Sequence, residues 1–452
     1  MLKNHKFFIL LIFLIGGMAS PLIAQVNELS FDQAVAIGMK ENLNLKLSRN
    51  TLYSLKSQKL TDRSAFLPNL LISGTAGRTQ GQQINPVTGV GGDFTNDLFF
   101  ASISARMPLF QGNSRLRTMK ASKLRYDAQQ ALVSRTTQNV IYDVATQFLQ
   151  VLLDQELLII AQENLKAQQV ILDEITGFVV AGARPESDRY TQEADVKNFE
   201  LLVIQANNSL NNDKATLSQT LQLDPAGEFK VIKPDWDINR IKPDDYTLDS
   251  LYSLALERRP DLAQLKNNEA ASEQDVRGAI SGYLPSFNLG ASYSSQYINP
   301  NDGSGTTPSF QEQFVDLNPQ WQYGFTFIIP IFDRLKTRNN RIQAKISYDN
   351  SKNDRINLEK TIKIEVKSAY LNFIDVVKGY EVSQAQTEAS KLAYETQSES
   401  YKVGIATQVE RSTANQTYLN ALASLAQNKY RLLFQKLMLD YATGTLDLHT
   451  IN

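Results

Sequence analysis

Four segments of the chain alternate apolar and polar residues with the period of two that is typical of β-strands. The clearest is at about 319–331, where large aromatic residues alternate with Gln, Gly and Thr. Its aromatic positions are Trp321, Tyr323, Phe325 and Phe327. The other segments are at about 68–80, 97–108 and 285–298, and their apolar positions include Phe99, Ile103, Phe287 and Leu289. The pattern predicts four strands, each with one apolar face.

The apolar faces of these strands can meet lipid or the core of a soluble sandwich. Tyrosine and tryptophan are typical of the two membrane interfaces of a transmembrane barrel. A strand of about ten residues is long enough to cross a bilayer at a tilt. A sandwich needs more strands than four, and these four are isolated among helices. We therefore expect the eight apolar residues named above to face lipid.

Long stretches with helical periodicity separate the strands. Between Gly112 and about residue 181 there is no proline, and apolar residues recur every three or four positions, as in Ile141, Val144 and Phe148. A helix of that length reaches about 100 Å. The pattern predicts two antiparallel hairpins, at 112–222 and 333–440, each preceded by a shorter single helix, at 30–65 or 247–282.

The order of these elements occurs twice, which indicates an internal duplication. The sequence Ala-Phe-Leu-Pro ending at Pro68 resembles Gly-Tyr-Leu-Pro ending at Pro285, 217 residues later. From Pro108 and Pro330 onward the offset is 222, and it also relates Gly182 to Gly404. We assign a first repeat to 25–223, a linker to 224–246, a second repeat to 247–445 and a tail to 446–452.

The first 24 residues have the features of an export signal. Lys3 and Lys6 precede an apolar run at 7–15, and Ala24 is a plausible cleavage point. The run is too short to span a hydrocarbon layer of roughly 30 Å. The sequence therefore predicts an exported protein.

Composition excludes several classes of function. The chain has 46 basic and 47 acidic residues, a net charge of -1, which gives no electrostatic case for binding nucleic acid. It has no cysteine, and its two histidines, His5 and His449, lie at the chain ends. Most general-base and metal-centre chemistry needs those residue types. We expect no catalytic, cofactor-binding or metal-binding residues.

Four strands are too few for one chain to close a barrel, since the smallest barrels need about eight. An open sheet edge cannot remain unpaired in lipid. The barrel must therefore be shared between copies of the chain. Two copies would supply eight strands and three would supply twelve.

The motifs in this order resemble the TolC-like outer-membrane efflux family. Leu-Pro precedes the first strand of each repeat, Pro108-Leu109-Phe110 and Pro330-Ile331-Phe332 end the second, and a glycine followed by an acid marks each hairpin tip. The resemblance implies a mainly α fold: a homotrimer with a 12-stranded β-barrel in the outer membrane and a periplasmic α-barrel. It also implies passive conduction, a periplasmic adaptor protein and an inner-membrane pump.

The resemblance also places a gate at the periplasmic tips. Tyr401 and Glu410 match its tyrosine and first acid, and Asp188 is the equivalent acid of the first repeat. The family's arginine and second acid are missing, because Ala406 and Thr413 stand there. This puts a salt-bridge lock in doubt.

Other residues near the tips have roles that the resemblance only suggests. Arg184 and Arg411 are candidates to replace the missing arginine, and Gly182, Arg184 and Gly404 are expected to contact the adaptor. The linker and residues 440–452 are expected to form a band around the middle of the helical barrel.

Two further functions remain open at this stage. One is a periplasmic coiled-coil adaptor or scaffold without membrane strands, and the other is an exported enzyme. The sequence does not distinguish a drug, metal ion, siderophore or protein as the transported substrate.

Overall fold

A computed structural model describes residues 28–84, 89, 91–224, 229–234, 236, 246–300 and 307–446 of the chain. The predicted signal peptide, at 1–24, lies outside the described residues. So do most of the predicted linker and of the predicted tail.

Each half of the chain contains short helices, two long strands and a long helical hairpin. The first half consists of β1 (Glu28–Leu29), α1 (Phe31–Glu41), α2 (Leu43–Ser64), β2 (Asn69–Ile84), β3 (Gly91–Gln111), α3 (Ser114–Val180) and α4 (Glu186–Leu221). After β4 (Lys230–Val231), the second half consists of α5 (Leu248–Arg258), α6 (Pro260–Ala279), β5 (Ser286–Pro300), β6 (Gln320–Ile328), α7 (Lys336–Lys402) and α8 (Gln408–Thr443). The hairpins are equal in size, with helices of 67 and 36 residues in both halves.

The prediction of a single helix before the first strand of each repeat was wrong. Two helices precede that strand in each half, α1 and α2 in the first and α5 and α6 in the second. In the first half the side chain of Asn42 accepts a hydrogen bond from the backbone N–H of Leu45 at 3.0 Å, which starts α2. In the second half Pro260 occupies the first turn of α6, where its missing N–H has no cost. Both breaks are helix-start signals that periodicity alone does not detect.

The four long strands form one antiparallel sheet in the order β2-β3-β5-β6. One row of directly opposed residues crosses all four strands on one face, and it consists of Ile72, Ile103, Tyr293 and Trp321. The neighbouring row on the other face consists of Ser73, Ser102, Ser294 and Gln320. The sheet therefore has one apolar face and one polar face, as period-two alternation requires.

The polar face is the concave one. It lines a cavity of about 1090 Å³ together with residues from the ends of α2 and α3. On the opposite, convex face aromatic rings pair across strands, with centroids 4.7 Å apart for Tyr293 and Trp321 and 5.2 Å apart for Phe287 and Phe325. These pairs stabilise the register between β5 and β6.

The strand β6 is shorter than its neighbour β5, and a π-helix at Glu312–Leu317 covers the difference. The side chain of Gln313 donates to the carbonyl of Ile298 at 3.0 Å and accepts from its N–H at 3.1 Å. Asn318 donates to the carbonyl of Gln296 at 2.8 Å. The end of β5 remains paired with β3, and on its other side, beyond the reach of β6, these side chains satisfy its backbone groups.

The helical region has its main core around the middle of α3. Val144, Phe148 and Val151 are fully buried there and pack with residues from α1, α4, β4 and α8. Trp236, from the predicted linker, contacts Phe31 edge-to-face at 5.3 Å. A second core lies between α5, α6, α7 and α8.

One helix among the described residues, α3, is long and apolar enough by length and composition to cross a membrane. Only 39% of its apolar window is buried inside the structure. The buried residues of α3 between Val140 and Leu152 belong to the main helical core.

A buried arginine joins the start of the second repeat to the end of α8. The side chain of Arg259 is 2% exposed and forms ion pairs with Asp261 at 2.6 Å and Glu365 at 2.5 Å. It also donates to the carbonyl of Ala442 at 3.2 Å. Gly444 follows α8 with a φ of 77°, and a Cβ there would lie 2.9 Å from the Cα of Arg259. This contact requires glycine for both backbone conformation and space.

We expect Gly444→Ala to destabilise the fold by about 2 kcal/mol, because it adds left-handed strain and a clash with Arg259. Gly177→Ala is the matched control, since a Cβ on Gly177 would meet nothing within 4 Å. That control should be neutral or stabilise α3 by up to about 1 kcal/mol. The measurement is the thermal midpoint of the helical circular dichroism signal in detergent. Equal midpoints for the two variants would contradict the prediction.

Candidate gate at the hairpin tips

Both hairpins turn at a glycine in the left-handed conformation. Gly182 has a φ of 73° and Gly404 a φ of 83°. The residue after each glycine donates a backbone hydrogen bond to a carbonyl in the last turn of the preceding helix. The N–H of Ala183 donates to the carbonyl of Phe178 and that of Ile405 to the carbonyl of Ser400, both at 2.9 Å. Such a turn ends a helix because glycine adopts it without the steric cost of a Cβ. The two predicted tip glycines therefore occupy equivalent structural positions.

Glu410 lies at the start of α8 and caps that helix. Its carboxylate accepts from the backbone N–H of Thr407 at 2.7 Å and from the Thr407 hydroxyl at 2.9 Å. The Thr407 hydroxyl in turn accepts from the Glu410 N–H, which completes a capping box. The hydrogen bonds from Thr407 lower the pKa of Glu410. The carboxylate is exposed and ionised at neutral pH.

Tyr401 is fully buried where the two hairpins meet. Its hydroxyl donates to a carboxylate oxygen of Asp188 at 3.1 Å, which links α7 to α4. The guanidinium groups of Arg184 and Arg411 lie over its ring, with their central carbons 4.4 and 4.1 Å from the ring centroid. Burial and the nearby Asp188 carboxylate raise the pKa of Tyr401, so the phenol stays protonated and can donate.

The two arginines hold Tyr401 without an ion pair. Neither Arg184 nor Arg411 has a carboxylate oxygen within 4.0 Å among the described residues. Arg184 donates a hydrogen bond to the backbone carbonyl of Tyr401. Arg411 is 2% exposed, and burial lowers its pKa. Guanidinium groups remain charged in proteins, so the contact with the ring is a cation–π interaction.

A chain of buried amides lies next to Tyr401. The side chain of Gln192 donates to the side-chain oxygen of Gln168 at 2.8 Å, and that of Gln408 donates to Gln192 at 2.6 Å. Close by, the Ser412 hydroxyl donates to Asp195 at 2.6 Å. These bonds join α3, α4 and α8 through neutral amides and one carboxylate. These hydrogen bonds stabilise the packing of the three helices more than they would at the surface, because they are shielded from water.

Of the three predicted gate residues, the structure brings Tyr401 and Asp188 together and leaves Glu410 apart from them. Ala406 is buried in one small cluster with Tyr401 and Ile175. The amide chain was missed by the sequence analysis. The only signal for it was that Gln192 shares a helix face with the apolar Val196.

The concave face of the sheet has little charge. Its described strand residues are mostly Ser, Thr, Gly, Asn and Gln, and Arg106 is the charged residue among them. The predicted lipid-facing residues all occupy the convex face. No group of three or more acidic or histidine side chains that could hold a metal occurs in the part of the chain that the structure describes.

The protein-family model described as "Outer membrane efflux protein" matches this chain over residues 40–221 and 251–445. One matched segment falls in each repeat. Among curated proteins, "Outer membrane protein TolC" of Escherichia coli strain K12 is 24% identical over 378 residues, which is 80% of this chain and 75% of that protein.

Solved structures share the fold over nearly the whole chain. The CmeC outer membrane channel of Campylobacter jejuni superimposes with a TM-score of 0.77 at 19% identity, covering 92% of this chain and 85% of that one. The outer membrane protein VceC of Vibrio cholerae has a TM-score of 0.77 at 14% identity, with coverages of 92% and 96%. These likenesses establish the architecture.

We expect Tyr401→Leu to lower the free energy of local opening at the hairpin tips by about 2 kcal/mol. Leucine keeps apolar volume but loses the hydroxyl hydrogen bond and both cation–π contacts. Amide hydrogen exchange at residues 396–413 should become about thirtyfold faster. Tyr190→Leu is the control, because Tyr190 is exposed on α4 near the same tip. Unchanged exchange in the Tyr401 variant would show that the two hairpins hold together without it.

Proposed function

The chain belongs to the outer membrane efflux protein family, and on that premise we propose that it is the exit duct of a tripartite efflux or type I secretion system. The family consists of channel and transport proteins rather than enzymes, and its location is the outer membrane. The proposed duct conducts passively and takes its energy from an inner-membrane pump. The observation that carries the proposal is the sheet, which is apolar on its convex face, polar on its concave face and open at both edges.

The open edges support assembly with other copies of the chain. The outer edges of the sheet are β2 and β6, and no strand among the described residues pairs with the outer side of either. Lipid cannot satisfy the backbone groups at those edges, so β6 of one copy would pair with β2 of the next. We propose three copies and a barrel of twelve strands, with the concave faces forming one lumen. The equal hairpins would then surround the same axis.

The tips support a gate and a docking surface for a periplasmic adaptor. The gate combines Tyr401 and Asp188 inside each chain with Glu410, which three copies would bring to one ring. Around Gly182, Arg184 and Gly404 the tips expose large apolar side chains: Val180, Val403, Ile405 and Val409. Exposed apolar residues clustered at one end of a molecule are typical of a protein interface.

The alternative of a periplasmic adaptor or scaffold is less consistent with the sheet. A soluble protein would expose Trp321, Tyr323 and Phe325 to water, with exposed fractions of 72%, 82% and 67%. Outer-membrane fractionation and heat-modifiable migration on denaturing gels test the proposal. Recovery of a soluble monomer without detergent would refute it.

Two neighbouring residues of β6 test which face of the sheet meets lipid. Phe325→Arg should prevent assembly of the barrel, because arginine on the lipid face costs about 2–4 kcal/mol per copy near the bilayer centre. Thr326→Arg is the matched control, since Thr326 lies on the concave face and its side chain would enter water. The measurement is the yield of heat-modifiable oligomer in the outer membrane. If both variants assemble equally, the convex face does not meet lipid.

The charge of Glu410 should set part of the ion selectivity, because a ring of carboxylates at a constriction favours cations. Glu410→Gln keeps a capping residue at the third helix position and removes only the charge. We expect the reversal potential, measured in a salt gradient across a planar bilayer, to shift toward the value for an anion-selective channel. Glu186→Gln is the control, as Glu186 is exposed at the other tip and pairs with Arg189. The same shift in both variants would exclude a specific role for Glu410.

A further inference from the structure

A buried pair of carboxyl groups joins α3 to α4 within the first hairpin. Asp154 of α3 is 5% exposed, and it follows Leu152, which belongs to the main helical core. One of its carboxyl oxygens accepts a hydrogen bond from the side chain of Gln150 at 3.3 Å. The other oxygen, Oδ2, is also buried and has no hydrogen-bond donor among the described residues. The carboxyl group of Asp213 on α4 is close enough to form a hydrogen bond with Asp154 once one of the two carries a proton.

No positive charge compensates this pair. Neither carboxyl group has a lysine or arginine nitrogen within 4.0 Å in the part of the chain that the structure describes. The charged groups of neighbouring elements are paired with Glu156, which binds Lys429 of α8 at 3.1 Å and Lys233, after β4, at 3.7 Å. The hydroxyl of Tyr430 on α8 also donates to Glu156, at 2.8 Å. The two acids therefore have each other as their main ionisable partners.

Burial and like charge both favour a protonated state of this pair. A carboxylate in a dry core loses its hydration, and two carboxylates in contact repel each other, so ionising both at neutral pH is unfavourable. Burial is the larger cause and the Asp213 carboxyl the second, and together they raise the pKa of Asp154 to about 7. A protonated Asp154 can donate to Asp213, which leaves neither acid without a partner.

The duplication provides an internal comparison for the pair. At the offset of 222 that relates the two hairpins, Asp154 corresponds to Val376 and Asp213 to Gln435. Val376 packs against the second helical core. The hairpin fold therefore does not require acids at these positions, and the pair is a property of the first hairpin alone.

The pair lies far from both the sheet and the hairpin tips. Asp154 is near the middle of α3 (Ser114–Val180), about 60 Å from the start of that helix and about 40 Å from its end. It is therefore outside the lipid and apart from the candidate gate. Neither the edges of the sheet nor the contacts of Tyr401 involve it.

We propose that Asp154 and Asp213 share one proton and that this proton fastens α3 to α4. When the proton is bound, the carboxyl of Asp154 donates to the ionised Asp213, and the hydrogen bond is strengthened by its shielding from water. At alkaline pH the proton passes to water, the two carboxylates repel, and this part of the first hairpin opens more easily. The second hairpin carries valine and glutamine at these positions and does not respond. The proposal goes beyond conduction, because it gives one hairpin a stability that depends on pH.

The direction of the pH dependence follows from proton linkage. An opened hairpin returns Asp154 to water, where the pKa of an aspartic acid is near 3.8. The closed hairpin holds the proton to a higher pH than the opened one. The stability that the shared proton supplies is therefore complete below about pH 4, falls as the pH rises, and is lost once the pH exceeds the pKa of the closed hairpin.

The test is amide hydrogen exchange of the full-length protein in detergent at residues 148–158 and 207–217, corrected for the intrinsic exchange rate at each pH. We expect local opening of these segments to become about fiftyfold more favourable between about pH 5 and pH 7, and to change little above about pH 8. Asp154→Asn should abolish most of this change, because the asparagine amide donates to Asp213 at every pH. Asp154→Val, which copies the second hairpin, should abolish it as well.

Infrared spectroscopy detects the shared proton directly. The difference spectrum between the wild-type protein and Asp154→Asn at about pH 6 should contain the carbonyl band of a protonated carboxyl group. Asp375→Asn is the matched control for both measurements, because Asp375 is exposed on α7 one position before the counterpart of Asp154. It should leave the pH dependence of the first hairpin unchanged.

The same pH dependence in the wild type and in Asp154→Asn, or a difference spectrum without the carboxyl band, would overturn the proposal. So would protection of the wild type by magnesium or calcium ions at about pH 6 that is lost in Asp154→Asn, since the pair would then bind a metal cation in place of a proton. Neither measurement needs conduction, so failure here is distinguishable from failure of the proposed duct.

Discussion

The unpaired backbone groups at the two edges of the four-stranded sheet are the constraint on which the rest of the molecule depends. In lipid these groups have no water to bind, so the sheet is complete only when its edges meet other strands. The strands also determine where the long helices begin, because α3 starts three residues after the end of β3 and α7 starts eight residues after the end of β6. At the end of β5, where β6 is too short to reach, the side chain of Gln313 takes over the same role.

Much of this architecture could be predicted from local patterns that occur twice. Alternating aromatics located the strands, and the tip glycines at 182 and 404 were identified because only glycine fits that turn cheaply. The short helices were predicted less well, since their breaks depend on single residues. Asn42 caps a helix through its side chain, and Pro260 starts one, without disturbing the helical period around them.

The candidate gate was predictable only in part. Tyr401 and Asp188 were identified by resemblance, but their partners lie far apart in sequence and meet only when two hairpins pack. The contact uses a phenol between two guanidinium groups, with a chain of amides nearby. A salt-bridge lock was already in doubt from the sequence, because Ala406 and Thr413 stand at its two charged positions. Neutral amides such as Gln192 and Gln408 carry no distinctive sequence signal, because glutamine is also common on solvated helix surfaces.

The matched helices of 67 and 36 residues also constrain how the chain can change over evolutionary time. One inserted residue in α3 would move its tip by about 1.5 Å and rotate every later side chain by about 100°. Tyr401 would then lose Arg184, and the two hairpins would end at different depths. Insertions and deletions should therefore accumulate in the loops between the strands, while the span from membrane to tip changes only if both hairpins lengthen together.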